Sequence, residues 1–194
     1  MGATMTVEPQ VTWPLPPEQG WSADDLDRLP NLPPHTELLD GTLVFMSPQT
    51  DFHANAMFLL QVGLRRTVPE HLYVQREMTI TLGLRDRPEP DVLVVRKDAR
   101  TGPDQTSYRP VDVLLAVEVV SPDSEVRDLD LKPRKYATAG IPHFWRVEKE
   151  EGRPVVHVFE LERETRSYVA KGIFRKELTL SVPFEIAIDL TAID

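Results

Sequence analysis

The 194-residue chain contains no cysteine. That absence removes disulfides, thiolate zinc sites and cysteine nucleophiles together, and it fits the reducing cytoplasm, the compartment expected for this protein. Long apolar runs are missing as well: nothing approaches the roughly 18 residues a membrane-spanning helix needs. Residues 1–20 have neither a basic start nor an apolar stretch, so no secretory leader is expected. Aromatic residues make up 7% of the chain and are scattered, so Phe144 and Trp145 read as packing residues and not as a base-stacking platform. No GxSxG elbow, Walker A loop or GxGxxG after a strand occurs, which sets aside the common serine-hydrolase, P-loop and dinucleotide sites. Positive charge is in deficit: 22 Lys and Arg face 31 Asp and Glu, a net charge of −9, which weighs against a dedicated nucleic-acid binder. The deficit is uneven. Residues 1–40 hold one base (Arg28) and seven acids, a balance of −6, while the remainder holds 21 bases and 24 acids, a balance of −3. The body is close to neutral, and basic stretches such as Arg65-Arg66 remain able to meet phosphate.

Proline is plentiful where charge balance is worst. Seven of the 18 prolines fall within residues 1–34, so residues 1–33 read as a proline-rich acidic arm and residues 34–194 as one domain. The arm's one helix candidate is 22–29, with Ser22 as N-cap and Asp24 and Asp25 in the first turn. Segment 36–47 predicts two strands joined at Asp40-Gly41. Residues 51–67 carry apolar residues at helical spacing and stop before Pro69. Strands are predicted at 72–82, 91–96 and 113–120, the last two so continuously apolar that they suit central strands covered on both faces. A helix around 132–139 ends at Gly140-Ile141-Pro142. Strands follow at 143–148, 155–161, 167–171 and 184–188. The order predicts an α/β (α+β) fold with a central mixed sheet flanked by helices.

Glu118 interrupts an apolar strand. An unpaired carboxylate there would cost several kcal/mol or take up a proton, so it requires a partner: an arginine or lysine, a hydrogen-bond network, or a cation. Asp91 opens a second apolar strand after Pro90 and raises the same question. Two acids at the ends of central strands suit a shared hard cation such as Mg2+, which prefers oxygen ligands. A structural arginine for Glu118 and a turn-capping role for Asp91 account for the same pattern. The position two residues after Glu118, on the same strand face, is Val120, so any cation from the chain comes from elsewhere. Lys132 is the best candidate and Lys135 a weaker one. Proline is tolerated in the first turn of a helix, so Pro133 predicts a start with Asp128 or Asp130 as N-cap and Lys132 near a phosphate-favouring helix N-terminus. Tyr136 lies one turn on, on the same face.

The blocks TELLDG (36–41), SPQTDFH (47–53), EPDVLVV (89–95), VEVVSPDS (117–124) and DLDLKPRKYATAGIPHFWRVE (128–148) resemble, in order, the Uma-two-type putative restriction endonuclease family of the PD-(D/E)XK nuclease superfamily. The last block is the most specific of them. The resemblance implies a restriction-endonuclease-like core and a Mg2+-dependent endonuclease, with Mn2+ as a substitute, acting on phosphodiester bonds in DNA. It implies Asp91 and Glu118 as metal ligands with the backbone carbonyl near Val119, Lys132 as the active-site lysine moved to the helix, and Glu37 as an additional acid beside the metal. His53 matches a recurrent histidine, for which packing or hydrogen bonding is the favoured role. Two other functions fit the same residues: a non-catalytic binding module that keeps the fold, and a metal-dependent hydrolase of RNA or another phosphate ester. A homodimer is expected of an enzyme that cuts both strands, with the arm able to reach a partner, and no membrane association is expected.

Overall fold

The structure, a computed structural model, describes residues 14–193, so the first part of the expected arm lies outside the described residues. Residues 21–27 of the arm are tied down. The Ser22 N–H and hydroxyl both donate to Asp25 (2.8 and 2.7 Å), starting a 3-10 turn at Ala23–Asp27 within the expected helix. Ala23 is buried, and its N–H donates to the Leu84 carbonyl (2.8 Å). The buried Arg87 guanidinium reaches Asp27 (2.7 and 3.0 Å) and the Ala23 carbonyl (2.9 Å).

Strands β1 (Glu37–Leu39) and β2 (Thr42–Val44) form the expected hairpin. Asp40 (φ 52) and Gly41 (φ 78) both take positive φ, as a two-residue type I′ turn requires. Helix α1 (Asp51–Thr67) begins at Thr50, whose side chain accepts from the His53 N–H, and ends before Pro69. Its buried face includes Ala56, Met57, Leu60 and Leu64.

The strands that follow are β3 (Leu72–Arg76), β4 (Thr79–Ile80), β5 (Val92–Arg96), β6 (Ser107–Tyr108) and β7 (Val113–Val119). Helix α2 (Lys132–Ala139) leads to β8 (His143–Glu150), β9 (Arg153–Glu162), β10 (Ser167–Phe174), β11 (Glu177–Leu180) and β12 (Ile186–Asp189). Six strands form one mixed sheet in the order β10-β9-β8-β7-β5-β3, parallel only where β7 meets β8 across the α2 connection. The single strand expected over 72–82 is broken. Glu77 has φ 50, outside strand geometry, and β4 leaves the sheet to pair with β6.

Each sheet face carries a core. On one, α1 and the β11–β12 hairpin cover Val74, Val92, Val94, Leu115, Val117 and Val119. On the other, Tyr136 from α2 and Ile141 just after it cover Leu93, Val95, Ala116 and Phe144. Trp145 and Phe144 are buried packing residues. Strand alternation sends Glu118 to the α2 side, because Val117 and Val119 face α1. Among the described residues no helix is long and apolar enough to cross a membrane.

The predicted start of α2 needs correction. Helical geometry begins at residue 125, and Asp128 is no N-cap: its N–H already bonds to the Ser124 carbonyl (2.9 Å). A π-turn spans Arg127–Leu131, with the Lys132 N–H reaching back to the Arg127 carbonyl. Pro133 has no N–H to donate, and its ring would press on the carbonyl four residues before it. The widened turn lets the helix run through that position. Gly140 ends α2 in the left-handed region (φ 85), as its sequence predicts.

Candidate active site

The antiparallel register pairs Val92 with Val117, which puts Asp91 and Glu118 side by side at one end of the sheet. One Asp91 oxygen accepts the Val119 N–H at 2.6 Å, and the other lies 3.2 Å from His53 Nε2, at the start of α1. Glu118 is 1% exposed. Its Oε1 accepts the Tyr136 hydroxyl at 2.5 Å and its Oε2 accepts from Lys132 Nζ at 3.1 Å. Lys132 and Tyr136 meet one carboxylate because they stand one turn apart on α2.

Lys132 Nζ also reaches Glu37 Oε1 on β1 at 2.8 Å and Asp128 Oδ1 in the π-turn at 3.3 Å. Glu37 Oε1 further accepts the Glu89 N–H (2.7 Å), whereas Glu37 Oε2 is buried with no hydrogen-bond partner. Three buried carboxylates therefore surround one buried ammonium, with a fourth acid, Asp91, alongside.

The electrostatics follow from that count. Burial pulls the Lys132 pKa down, but Glu118, Glu37 and Asp128 together outweigh it and hold the ammonium well above its ordinary value. Lys132 stays charged. Burial drives the Glu118 carboxyl well above the usual carboxylate range, with the Lys132 charge opposing it. Asp128 is raised in the same way and for the same reasons. Burial and the neighbouring Glu118 raise Tyr136 well above its usual value, so its hydroxyl remains a donor. Three carboxyl groups thus face one ammonium in a buried cluster.

A cleft of about 680 Å³ opens onto this cluster, with Glu37, His53 and Asp91 at its floor and His35, Glu77 and Glu89 on its wall. His35 Nδ1 and Glu89 Oε1 are 2.5 Å apart, and that hydrogen bond raises the imidazole pKa against its burial. Glu89 is itself raised by burial, with His35 opposing. Burial lowers the His53 pKa, but its contact with Asp91 outweighs this and the net shift is upward. His53 Nδ1 is buried without a partner.

The donors are carboxylates, the chemistry a hard divalent cation takes, and Glu37 Oε2 and the excess negative charge suit such an ion. The positions are closed, however. Among the described residues no three His, Asp or Glu side chains stand together as a ready metal site. Both Glu118 oxygens and both Asp91 oxygens already face partners, so a cation would exchange with some of them.

The four side chains predicted from the sequence, Glu37, Asp91, Glu118 and Lys132, converge here. Lys132 does so from inside a helix and buried, not at an exposed helix start. Lys135 does not join them; it pairs with Asp40 and Asp86 at 2.6 and 2.7 Å. Tyr136 and Asp128 belong to the cluster and were not predicted for it. Their spacing of four residues either side of Lys132 was the available signal. His35, Glu77 and Glu89 had none, because three separate segments bring them to the cleft.

A mixed sheet with paired acids at one end and a lysine from the following helix defines a restriction-endonuclease-like protein. A family described as "Putative restriction endonuclease" (Uma2) matches residues 23–192, and the chain belongs to that family. A similar solved structure is that of "a putative nuclease belonging to DUF820" from Anabaena variabilis ATCC 29413, with a TM-score of 0.63 and 16% identity, over 84% of this chain and 89% of that one. At that identity the likeness shows the fold. No curated protein matches the chain.

Proposed function

We propose that the chain is a Mg2+-dependent nuclease that hydrolyses phosphodiester bonds in DNA, with Mn2+ as a substitute ion. One observation carries the reading: Glu37, Glu118 and Asp128 crowd a single ammonium beside Asp91, leaving buried negative charge in excess. Such a cluster takes up either protons or a cation. Asp91 and Glu118, with the Val119 backbone carbonyl, would hold the ion, and Glu37 would join from β1. When bound, a divalent ion acidifies a water and offsets charge growing on the phosphoryl oxygens. The chain's own residues do the rest. Lys132, held protonated and buried beneath the cleft, would act on the attacking water or the scissile phosphate through its positive charge. Tyr136 and His53 keep Glu118 and Asp91 in place, and the apolar cores beneath exclude bulk water.

The direct test compares cleavage of plasmid and oligonucleotide DNA by wild type, Asp91→Ala and Lys132→Ala in Mg2+ or Mn2+. Wild-type cleavage lost in both variants supports the reading, and equal cleavage by all three refutes it. The engagement of both Glu118 oxygens favours a second reading, a non-catalytic module that retains the nuclease fold. Calorimetry separates the two: binding of Mg2+ or Mn2+ that Asp91→Ala abolishes supports the nuclease, and binding of neither ion supports the module. An RNA and phosphate-ester panel with the same variants tests the substrate class. The reading includes a cytoplasmic location, in keeping with the cysteine-free sequence and tested by fractionation. It also includes a homodimer suited to cutting two strands, tested by light scattering with and without residues 1–34.

A further inference from the structure

Arg65 and Arg66 form a basic pair in the sequence, and the structure separates them. Arg66 lines a separate groove with Ile188 and Asp189. Arg65 reaches the sheet edge, donates to the Val74 carbonyl at 3.2 Å and places its guanidinium 5.7 Å from the centroid of the Tyr73 ring. Arg100, from the turn after β5, stands 4.0 Å from the same centroid. Two guanidiniums thus share one aromatic ring. Neither takes part in an ion pair with a carboxylate among the described residues, although the chain carries a net charge of −9.

The ring lies on β3, the outermost strand of the sheet on that side. At one end of β3 Arg76 pairs with Glu77 (3.2 Å), which lines the cleft. Tyr73 lies three residues away, about 10 Å along the strand at roughly 3.3 Å per residue. At the far end Arg96 and Lys97 gather beside His71, with Arg96 paired to Asp98 and Lys97 in no ion pair among the described residues. Cations therefore line the edge from the cleft outward, and those at and beyond Tyr73 include three without a carboxylate: Arg65, Arg100 and Lys97.

We propose that the β3 edge is a contact for the phosphate backbone of nucleic acid, with the Arg65–Tyr73–Arg100 stack as its clamp. The class of ligand rests on the nuclease reading. Guanidinium forks match phosphate oxygens, and two guanidiniums held at one ring suit successive phosphates of one backbone. The ring also holds both guanidiniums in place, so less side-chain freedom is lost on binding. An edge strand otherwise offers bare backbone for pairing with other chains, and charged side chains at this edge oppose that.

The test is fluorescence anisotropy of a labelled duplex oligonucleotide with the full chain in EDTA, where nothing is cut. Arg65→Ala/Arg100→Ala is compared with wild type and with Arg163→Ala/Arg166→Ala, which removes the same charge from exposed positions at the β9–β10 turn. The clamp pair is expected to raise Kd about tenfold or more and the control pair less than about twofold. The slope of log Kd against log salt should fall by about 1.8 for the clamp pair, at roughly 0.9 for each phosphate no longer neutralised. Unchanged binding, equal weakening by both pairs, or a wild type that binds no duplex overturns the proposal. Arg100→Ala alone leaves the Arg65–Val74 bond intact and replaces the double variant if that folds poorly; unchanged binding by it likewise overturns the proposal. Duplex binding that needs the clamp, without cleavage, refutes the nuclease reading alone. Cleavage with clamp-independent binding refutes the clamp alone.

Discussion

Replacing Lys132 by methionine removes the only ammonium from a cluster in which Glu37, Glu118 and Asp128 lie at 2.8, 3.1 and 3.3 Å from it. All four side chains are about 98–99% buried, so solvent screens little of the loss. Methionine keeps most of the volume, which leaves charge as the main variable. Breaking a buried pair by deleting one partner costs about 3–5 kcal/mol, and the loss should reach that range near neutral pH. The pH profile carries the sharper signature. Folded Glu118 and Asp128 already have raised pKa values, so their contribution to stability is fully present below the unfolded range of about 4 and declines as pH rises through the folded values. Without Lys132 both carboxyls rise further, and the decline between about pH 5 and pH 8 becomes steeper. Urea unfolding of both proteins followed by circular dichroism at the two pH values, with equal m-values, measures this. A loss below about 1 kcal/mol that is the same at both pH values would show that the carboxylates do not depend on the ammonium, and the account of the cluster would be wrong.

Tyr136→Phe leaves Glu118 Oε1 without its donor; thermal unfolding should show a loss of about 1–3 kcal/mol, larger at pH 8 than at pH 5 because the ionised carboxylate needs the donor more. A Cβ at Gly63 would lie 2.6 Å from Ile188 Cγ1. Gly63→Ala should therefore cost about 1–3 kcal/mol in denaturant unfolding, and Ile188→Ala in the same chain should cost less than the sum of the two single changes. Arg87→Met removes the bonds to Asp27, Thr79 and the Ala23 carbonyl. It should lower stability by about 1–3 kcal/mol and open the 21–29 segment to limited proteolysis while β5 and β7 stay protected.

What was legible from the residues had local causes. The hairpin at Asp40-Gly41, the helix before Pro69 and the glycine stop at Gly140 each rest on backbone rules that act within a few residues. Glu118 announced itself as a carboxylate in an apolar strand, and Lys132 as the best candidate for its cation. Residues missed by sequence were those whose roles depend on distant segments. Asp128 reads as an N-cap until the π-turn places it against Lys132, and Pro133 permits either arrangement without tertiary information. Glu77 reads as mid-strand until the chain bends there at φ 50.

The sequence alone determined the class of elements, the paired acids and the family-like blocks that carry them, because hydrophobic period, turn chemistry and residue type are local properties. Only the tertiary structure decided the rest. It put Glu37 from β1, Asp128 from the π-turn and Glu118 from β7 around one lysine, sent Lys135 away to Asp40 and Asp86, and brought Arg65 and Arg100 to one tyrosine ring. The physical reason is distance in the chain. Charges interact through space and burial, and neither is defined until the sheet has closed over its two cores.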